Sequence, residues 1–497
     1  MKNRSISMSL AVLLLASLLA SCGEGATSTD TTASGGETTA NVDPSTVCNL
    51  PDTNWGGREF RVLGFDDPDR PQFVNFEIWA EAENGDVVND AIYRRNTAVE
   101  DKFNVKIVQD LVATGDRNTY TLAHMRTMAL AGEDLYDLAF CNLAGMGSAS
   151  REGLFYDLND VEHIDFSKEW WNPDVNDAVA VNGRVFFTSS DFSLRDKNRA
   201  YLLVFNKDMA KQFSLGNYYD MVRDGAWTLD KMAEGCKAAA NDLNGDGKVD
   251  CDDSFGLTMD SYNAGVAMAV GAGVRSIQQV DGELVLAINN EHTVDVLDKV
   301  LSITVPDYVT SSCEEWQGKK IPFDSHWSFS GGVFEAGRAL FTTAFPHMLK
   351  DFSAGCSSDY GILPFPKYDE AQAGYYNHAD VHCMLFGIPS TTPDPDFAGF
   401  VLEALSYEAS TTSLPAYIEI SCKTKYTYDP DSADMLDMIF SSVMFDSTKI
   451  YGIGGIGDLM YNTVKKGSNS FASDYASLEE SALADLEKLI EDIGAVE

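Results

Sequence analysis

Short apolar runs alternate with amphipathic stretches along most of this 497-residue chain. Residues 59–65, which include Phe60, Val62, Leu63 and Phe65, read as a strand. From about residue 86 to 103, Ile92, Val99 and Phe103 recur on one stripe, which predicts a helix. A strand follows at 105–108, a helix at about 119–131, and a third strand at 136–140. The βαβαβ order predicts an α/β fold with a mostly parallel sheet and helices on its faces. A second alternating unit starts at Leu202-Leu203-Val204-Phe205. The chain closes on an amphipathic helix, with Ser477 and Glu480 as a capping box and Leu478, Ala482, Leu486, Leu489 and Ile493 on one face.

The N-terminus has a different pattern. Lys2 and Arg4 precede an apolar stretch from Met8 to Ala20, and the segment ends Leu19-Ala20-Ser21-Cys22. This predicts an export signal over 1–21. The apolar stretch is shorter than the roughly 20 residues a membrane span needs. The Leu-Ala-Ser-Cys ending resembles a bacterial lipobox. That resemblance implies that Cys22 is acylated and becomes the lipid-bearing N-terminus, holding the protein on a membrane face outside the cytoplasm. An ordinary secretory signal or an uncleaved anchor are the alternatives. Of the 25 residues from Gly23 to Val47, 17 are Gly, Ser, Thr or Ala, so 22–47 reads as a tether unable to bury a core. Its expected reach is about 25–30 Å. Folding is expected to begin near Cys48.

Composition narrows the class of ligand. With 36 basic and 76 acidic residues, the formal charge is −40. Such a chain repels phosphate backbones, which argues against nucleic acid and leaves neutral, cationic or metal ligands. Eight cysteines beyond Cys22 are widely spaced without a CxxC pair, so buried free thiols are expected.

One segment matches a metal motif. Asp242, Asn244, Asp246, Asp250 and Asp253 place oxygens at positions 1, 3, 5, 9 and 12 of an EF-hand-type loop, with Gly247 at position 6 and Lys248 offering its carbonyl at position 7. Calcium prefers such hard oxygen donors. Asp253 departs from the usual Glu, which weakens bidentate binding. A helix over about 228–240 enters the loop and a turn into a strand leaves it, so a structural calcium ion is expected, not a switch. An acidic turn without metal is the alternative. Gly452-Ile453-Gly454-Gly455-Ile456-Gly457 matches GxGxxG, but no βαβ unit follows, so it reads as a flexible loop. His378 and His382 lie on an apparent strand, where their spacing of about 13 Å opposes shared metal binding. No P-loop, HExxH or GxSxG occurs, and no carboxylate pair stands out as glycosidic.

Several segments resemble the carbohydrate-binding solute receptors of bacterial ABC importers, the group related to maltodextrin-binding proteins. Leu202-Leu203-Val204-Phe205-Asn206-Lys207-Asp208 is similar to the strand that opens their second lobe. Trp227-Thr228-Leu229-Asp230 resembles the helix start that follows. Phe334-Glu335-Ala336-Gly337-Arg338-Ala339-Leu340-Phe341 and Tyr360-Gly361-Ile362-Leu363-Pro364-Phe365-Pro366 resemble the later helix–strand return and its next strand. The resemblance implies a type II two-lobe clamshell, with 48–192 plus 343–386 in lobe 1 and 193–342 plus 387–497 in lobe 2. It implies a non-enzymatic monomer that closes on a carbohydrate and docks on membrane permease subunits. An extracellular carbohydrate-active enzyme and a receptor for another solute, such as a peptide, are the rival readings.

Sugars offer apolar C–H faces and rings of hydroxyls, so a cleft needs aromatic rings with carboxylates or amides. Near the expected crossings, the candidates are Trp170, Trp171, Asp191, Phe345, His347, Tyr376, His378 and Asp380. Asp66 and Asn142 join them at the ends of the first and third strands. Trp227 reads as core at a helix start.

Overall fold

The computed structural model describes residues 43–113, 119–280, 283–306, 309–427 and 429–496. The signal segment, Cys22 and the tether up to residue 42 lie outside the described residues. In chain order the sheet strands are β1 (Arg58–Phe65), β2 (Val105–Val112), β3 (Leu138–Asn142), β4 (Leu202–Asn206), β5 (Phe255–Met259), β6 (Thr310–Ser312), β7 (Ala339–Ala344), β8 (Tyr360–Leu363) and β9 (Met384–Gly387). They form two sheets.

The first sheet has the order β9-β3-β1-β2. β1 runs parallel to β2 and β3, while β9 pairs antiparallel to β3. The helix between β1 and β2, Val87–Phe103, starts because the Asp86 carboxylate accepts from the Val88 and Asn89 amides. It stops at Asn104, which takes a left-handed φ of 50°. Its inner face buries Ala91, Ile92, Val99 and Phe103, as the stripe predicts.

The second sheet has the order β8-β4-β7-β5-β6. β5 runs parallel to β6 and β7, while β4 lies antiparallel to β7 and β8. Every residue of β4, β5 and β7 is buried. Helices cover both faces, so these strands carry continuous apolar runs without alternation.

Three segments join the sheets side by side. Ala200 bridges Ala379, with Tyr201 N donating to His378 O at 2.9 Å and Asp380 N to Arg199 O at 3.0 Å. The pair Asn377–His378 runs parallel to Val443–Met444, and Ala379 N donates to Met444 O at 2.9 Å.

The lobe limits differ from the expected ones. β8 lies in the range expected for lobe 1, yet it pairs with β4 in the second sheet. The helix Pro395–Thr411 lies in the range expected for lobe 2, yet it packs against Val87–Phe103. It directly follows β9 in the first sheet and its buried face, including Phe397, Phe400, Val401 and Leu405, needs cover there.

Smaller differences have clear causes. The folded body starts before Cys48, because Lys168 Nζ donates to Pro44 O at 2.8 Å and Glu169 N to Ser45 O at 3.3 Å. The last helix runs from Phe471 to Ala495, so Ser477 lies inside it, not at its cap, and bonds the Asp474 carbonyl. The eight described cysteines are unpaired. No helix among the described residues is long and apolar enough to cross a membrane.

The GxGxxG segment serves packing. A Cβ built on Gly454 would stand 2.4 Å from Ala482 Cα, and Gly454 holds φ at +47°. The last helix therefore presses on bare backbone there. Gly454→Val should destabilise the fold by about 1–3 kcal/mol, the usual range for overpacking. A denaturant midpoint equal to that of the wild type would show the contact to be yielding.

Candidate functional site

β5 ends at Met259, β7 ends at Ala344, and the antiparallel β4 begins beside that end, Leu202 opposite Ala344. In open α/β sheets the carboxyl ends of strands are where ligands bind. Here they meet the crossing segments, and side chains from both sheets converge.

Arg199 lies at the centre of the convergence. Its guanidinium carbon stands 4.6 Å from the centroid of Phe73, in the loop after β1, and 5.5 Å from that of Phe345, just after β7. Its Nη2 donates to Gln72 O at 3.1 Å, and its Nη1 lies 3.9 Å from Asp380 Oδ1. One cation thus carries a ring from each sheet on its faces. Asp380 also takes the His382 amide and stands 2.9 Å from His382 Nδ1. Burial would raise Asp380, but His382 and Arg199 outweigh it and hold the carboxyl below the usual carboxylate range. His382 in turn packs on Phe73, with ring centroids 5.3 Å apart.

On the second-sheet side Tyr201 links the aromatic groups. Its ring lies 4.4 Å from Phe345 and stacks on His378 at 6.1 Å. Its hydroxyl donates to Asp260 Oδ2 at 3.3 Å, and the Thr343 hydroxyl donates to Asp260 Oδ1 at 2.8 Å. Phe345 stacks on His347 at 5.5 Å. Burial, with Arg199 nearby, pushes the His347 imidazole down to about 3. It is neutral at pH 7.

The candidate residues read from sequence fall into three groups. Phe345, His347, His378 and Asp380 stand in this convergence. Asp66 ends β1, its amide donating to Val112 O at 3.2 Å, and Asn142 ends β3, its side chain capping the Gly145 amide at 2.9 Å. The remainder stand apart from the Arg199 cluster. Trp170 and Trp171 are buried, and their indoles donate to Glu403 at 3.1 and 2.9 Å. Asp191 is half-buried next to the Asp196–Lys197 ion pair, and burial pushes it up to about 7. Tyr376 lies under Arg275, 4.3 Å from its guanidinium carbon. Trp227 is core, with its indole on Pro364 O at 3.0 Å. His378 and His382 do not share one strand, because the chain turns at Asp380, with Cys383 N donating to its carbonyl.

Arg199, Tyr201, Phe73 and Asp260 were missed from sequence. None sits in a recognisable motif, and Phe73 is about 125 residues from its cation. The strand order alone could have flagged Asp260, one step past β5. Exposed rings also went unnoticed: Phe76, near Arg195, and Trp79 in the loop after β1, and Trp327 on the second-sheet side.

A groove of about 640 Å³ lies at the opposite edge of the second sheet, lined by Phe205, Lys207, Tyr218, Tyr219 and Asp429. Its Lys207 is already paired with Asp429 at 2.6 Å. The convergence at Arg199 is the better candidate, since it joins both sheets.

In the 242–253 loop the Asp242 carboxylate accepts the Gly245 and Gly247 amides at 2.6 and 2.9 Å. Asn244, Asp246 and Asp250 each accept from the residue two positions on. Asp253 is buried and accepts the Leu243 and Asp250 amides. Gly245 and Gly247 both hold φ at +73°, which permits the tight turns. The oxygen donors match the chemistry calcium needs. Among the described residues no group of three or more His, Cys, Asp or Glu is drawn together as metal ligands.

No protein-family model matches this sequence, and no curated protein matches it. Solved structures do match its fold. A sugar transporter from Rhizobium etli in an open conformation superposes with a TM-score of 0.55 at 13% identity, covering 88% of this chain and 100% of that one. A cyclo/maltodextrin-binding protein solved with maltotetraose gives 0.54 at 15%, covering 88% and 97%. The fold is that of the two-lobe solute-binding proteins. An extracellular solute-binding protein from Staphylococcus aureus in complex with maltose gives 0.52 at 14% identity, again covering 88% and 97%. In this two-lobe frame the two sheets form the lobes, and the three joined segments are the connection between them.

The Trp170–Trp171–Glu403 contact supplies a pH test. Burial pushes Glu403 up to about 7 despite the two indole donors. Its folded-state value exceeds its unfolded one, so its contribution to stability is full below about 4.5 and is lost as pH rises through about 7. Glu403→Gln cannot ionise. Thermal melts of this variant should decline less between pH 5 and pH 8 than those of the wild type. Parallel declines would assign the pH dependence elsewhere.

Proposed function

We propose that this chain is an extracellular solute receptor of an ABC importer that captures a carbohydrate between its two lobes. The observation that carries this reading is the Arg199 convergence, where rings from both lobes meet beside buried carboxylates at the strand ends. Rings suit the apolar faces of a sugar, and carboxylates take its hydroxyl hydrogens. Neighbours in fold solved with maltotetraose and maltose support the same ligand class.

The mechanism is binding and closure without covalent chemistry. Ligand that touches both lobes favours the closed arrangement by its differential affinity for it. The short connecting segments absorb the rotation. The closed monomer then presents both lobes to permease subunits in the membrane.

A thermal-shift screen over mono- and oligosaccharides tests this, because a ligand of the folded state raises the melting point. A ligand at 100 times its Kd adds about 2.7 kcal/mol of stability. Shifts only with peptides or other non-sugar solutes would overturn the carbohydrate reading. Release of shorter products during long incubation would point to an enzyme.

Two further parts of the proposal rest on sequence. Cys22 would carry the lipid, and the tether would raise the receptor's local concentration at its permease. Cys22→Ala should leave sugar binding intact and free the protein from the membrane fraction on cell fractionation. In the 242–253 loop, Asp242, Asn244, Asp246, Asp250, Asp253 and the Lys248 carbonyl would hold a structural calcium ion joining a helix to β5. Calorimetric titration of chelator-treated protein should detect one site. No heat at millimolar calcium would remove it.

A further inference from the structure

The imidazole of His378 is fixed in place, yet one of its polar atoms lacks a partner. Its ring stacks on Tyr201 at 6.1 Å. Its carbonyl accepts the Tyr201 amide, and its main chain pairs with Met444. The residue is 5% exposed, and its Nδ1 has no hydrogen-bond partner among the described residues. A buried polar atom left this way is costly, and ordered water is a usual remedy.

His378 lines a cavity of about 30 Å³. The other walls come from both sides of the connection. Arg275 and Ser276 belong to the second-sheet side, where the chain leaves the helix Asn263–Gly271. Asp446 caps the helix Ser447–Tyr451, which packs on the helix Leu143–Arg151 after β3. Asp446 Oδ1 accepts the Thr448 amide and hydroxyl at 2.9 and 2.6 Å. Its Oδ2 accepts the Ser276 hydroxyl at 3.0 Å. A carboxylate oxygen has two lone pairs, so Oδ2 has capacity for a second hydrogen.

Size and charge select the occupant. A water needs about 10–15 Å³ of room and two to four polar partners. The cavity has that room, and His378 Nδ1, Asp446 Oδ2 and the Ser276 oxygen supply the partners. Near the imidazole stand two carboxylates, Asp446 and Asp380, and two cations, Lys449 and Arg275. These charges balance, which favours a neutral occupant over an ion. Burial holds the imidazole below its usual range, so it too is neutral at pH 7.

We infer that this cavity is a water site, in which one buried water bridges His378 Nδ1 to Asp446 Oδ2. The bridge ties the crossing segment at 377–380 to the start of a helix on the first lobe. The water donates one hydrogen to the carboxylate. At Nδ1 it donates or accepts, as the imidazole tautomer requires. A water turns with its partners, so the tie persists while the lobes rotate. The inference uses the two-lobe fold alone and is independent of what the cleft binds.

A high-resolution crystal structure of the full folded protein tests it. The wild type should show one density peak about 2.7–3.2 Å from both Nδ1 and Oδ2. A cavity without density, or a peak within reach of only one of the two atoms, overturns the bridge. So does an anomalous peak there in crystals soaked in bromide, which would make it an anion site. His378→Leu removes Nδ1, and its crystals should lose the peak. A peak kept in place would mean that His378 does not hold the water.

Hydrogen exchange in solution reads the tie itself. In His378→Leu the amides of 377–380 and 446–448 should exchange about fivefold faster than in the wild type, in line with one net hydrogen bond lost. Unchanged exchange overturns the tie. The wild-type crystal decides even where the variant does not fold, and a failed sugar screen leaves its result untouched.

Discussion

The contact between the Arg199 guanidinium and the rings of Phe73 and Phe345 organises the rest of the molecule. The cation is buried, so it needs a counter-charge, which Asp380 supplies from the adjacent crossing segment. Phe73 comes from the loop after β1 and Phe345 from the end of β7, so a single side chain ties the two sheets together. The main-chain bonds between Arg199 and Asp380 and between Tyr201 and His378 hold the two segments in register. A ligand that enters between the lobes must fit around this cluster.

Buried carboxylates show how local charge sets function. Asp380 is held low because His382 and Arg199 stand beside it. Burial pushes Glu403 and Asp260 up, and their indole and hydroxyl donors offset it only in part. Desolvation is common to all three, and the presence of a cation decides the sign. Glu403 spends its acceptors on Trp170 and Trp171 and so belongs to the structure of lobe 1. Asp260 accepts the Thr343 and Tyr201 hydroxyls just past the end of β5.

Much of the fold was legible. The helix Val87–Phe103, its Asp86 cap and the fully buried β4 follow from apolar spacing that local physics imposes. The 242–253 turns follow from Asx residues and glycines placed at fixed offsets. The site was legible only in part. Phe345, His347, His378 and Asp380 flank the crossings, and the structure gathers them around Arg199 and Tyr201. Trp170 and Trp171 seemed equally suited, but nothing local showed that Glu403, more than 230 residues on, would accept both indoles. Phe73 and Arg199 were invisible for the same reason.

The sequence by itself therefore determined the elements, the two alternating α/β units and the acidic net charge. These depend on periodicity, capping and composition, which act over a few residues. The tertiary structure decided where β8 and the helix Pro395–Thr411 belong, which rings reach Arg199, and which carboxylates have a cation. Those depend on contacts across a hundred residues or more. Burial and pairing set the charge of Asp260, Asp380 and Glu403, and a side chain acquires both only when distant strands are brought to one edge.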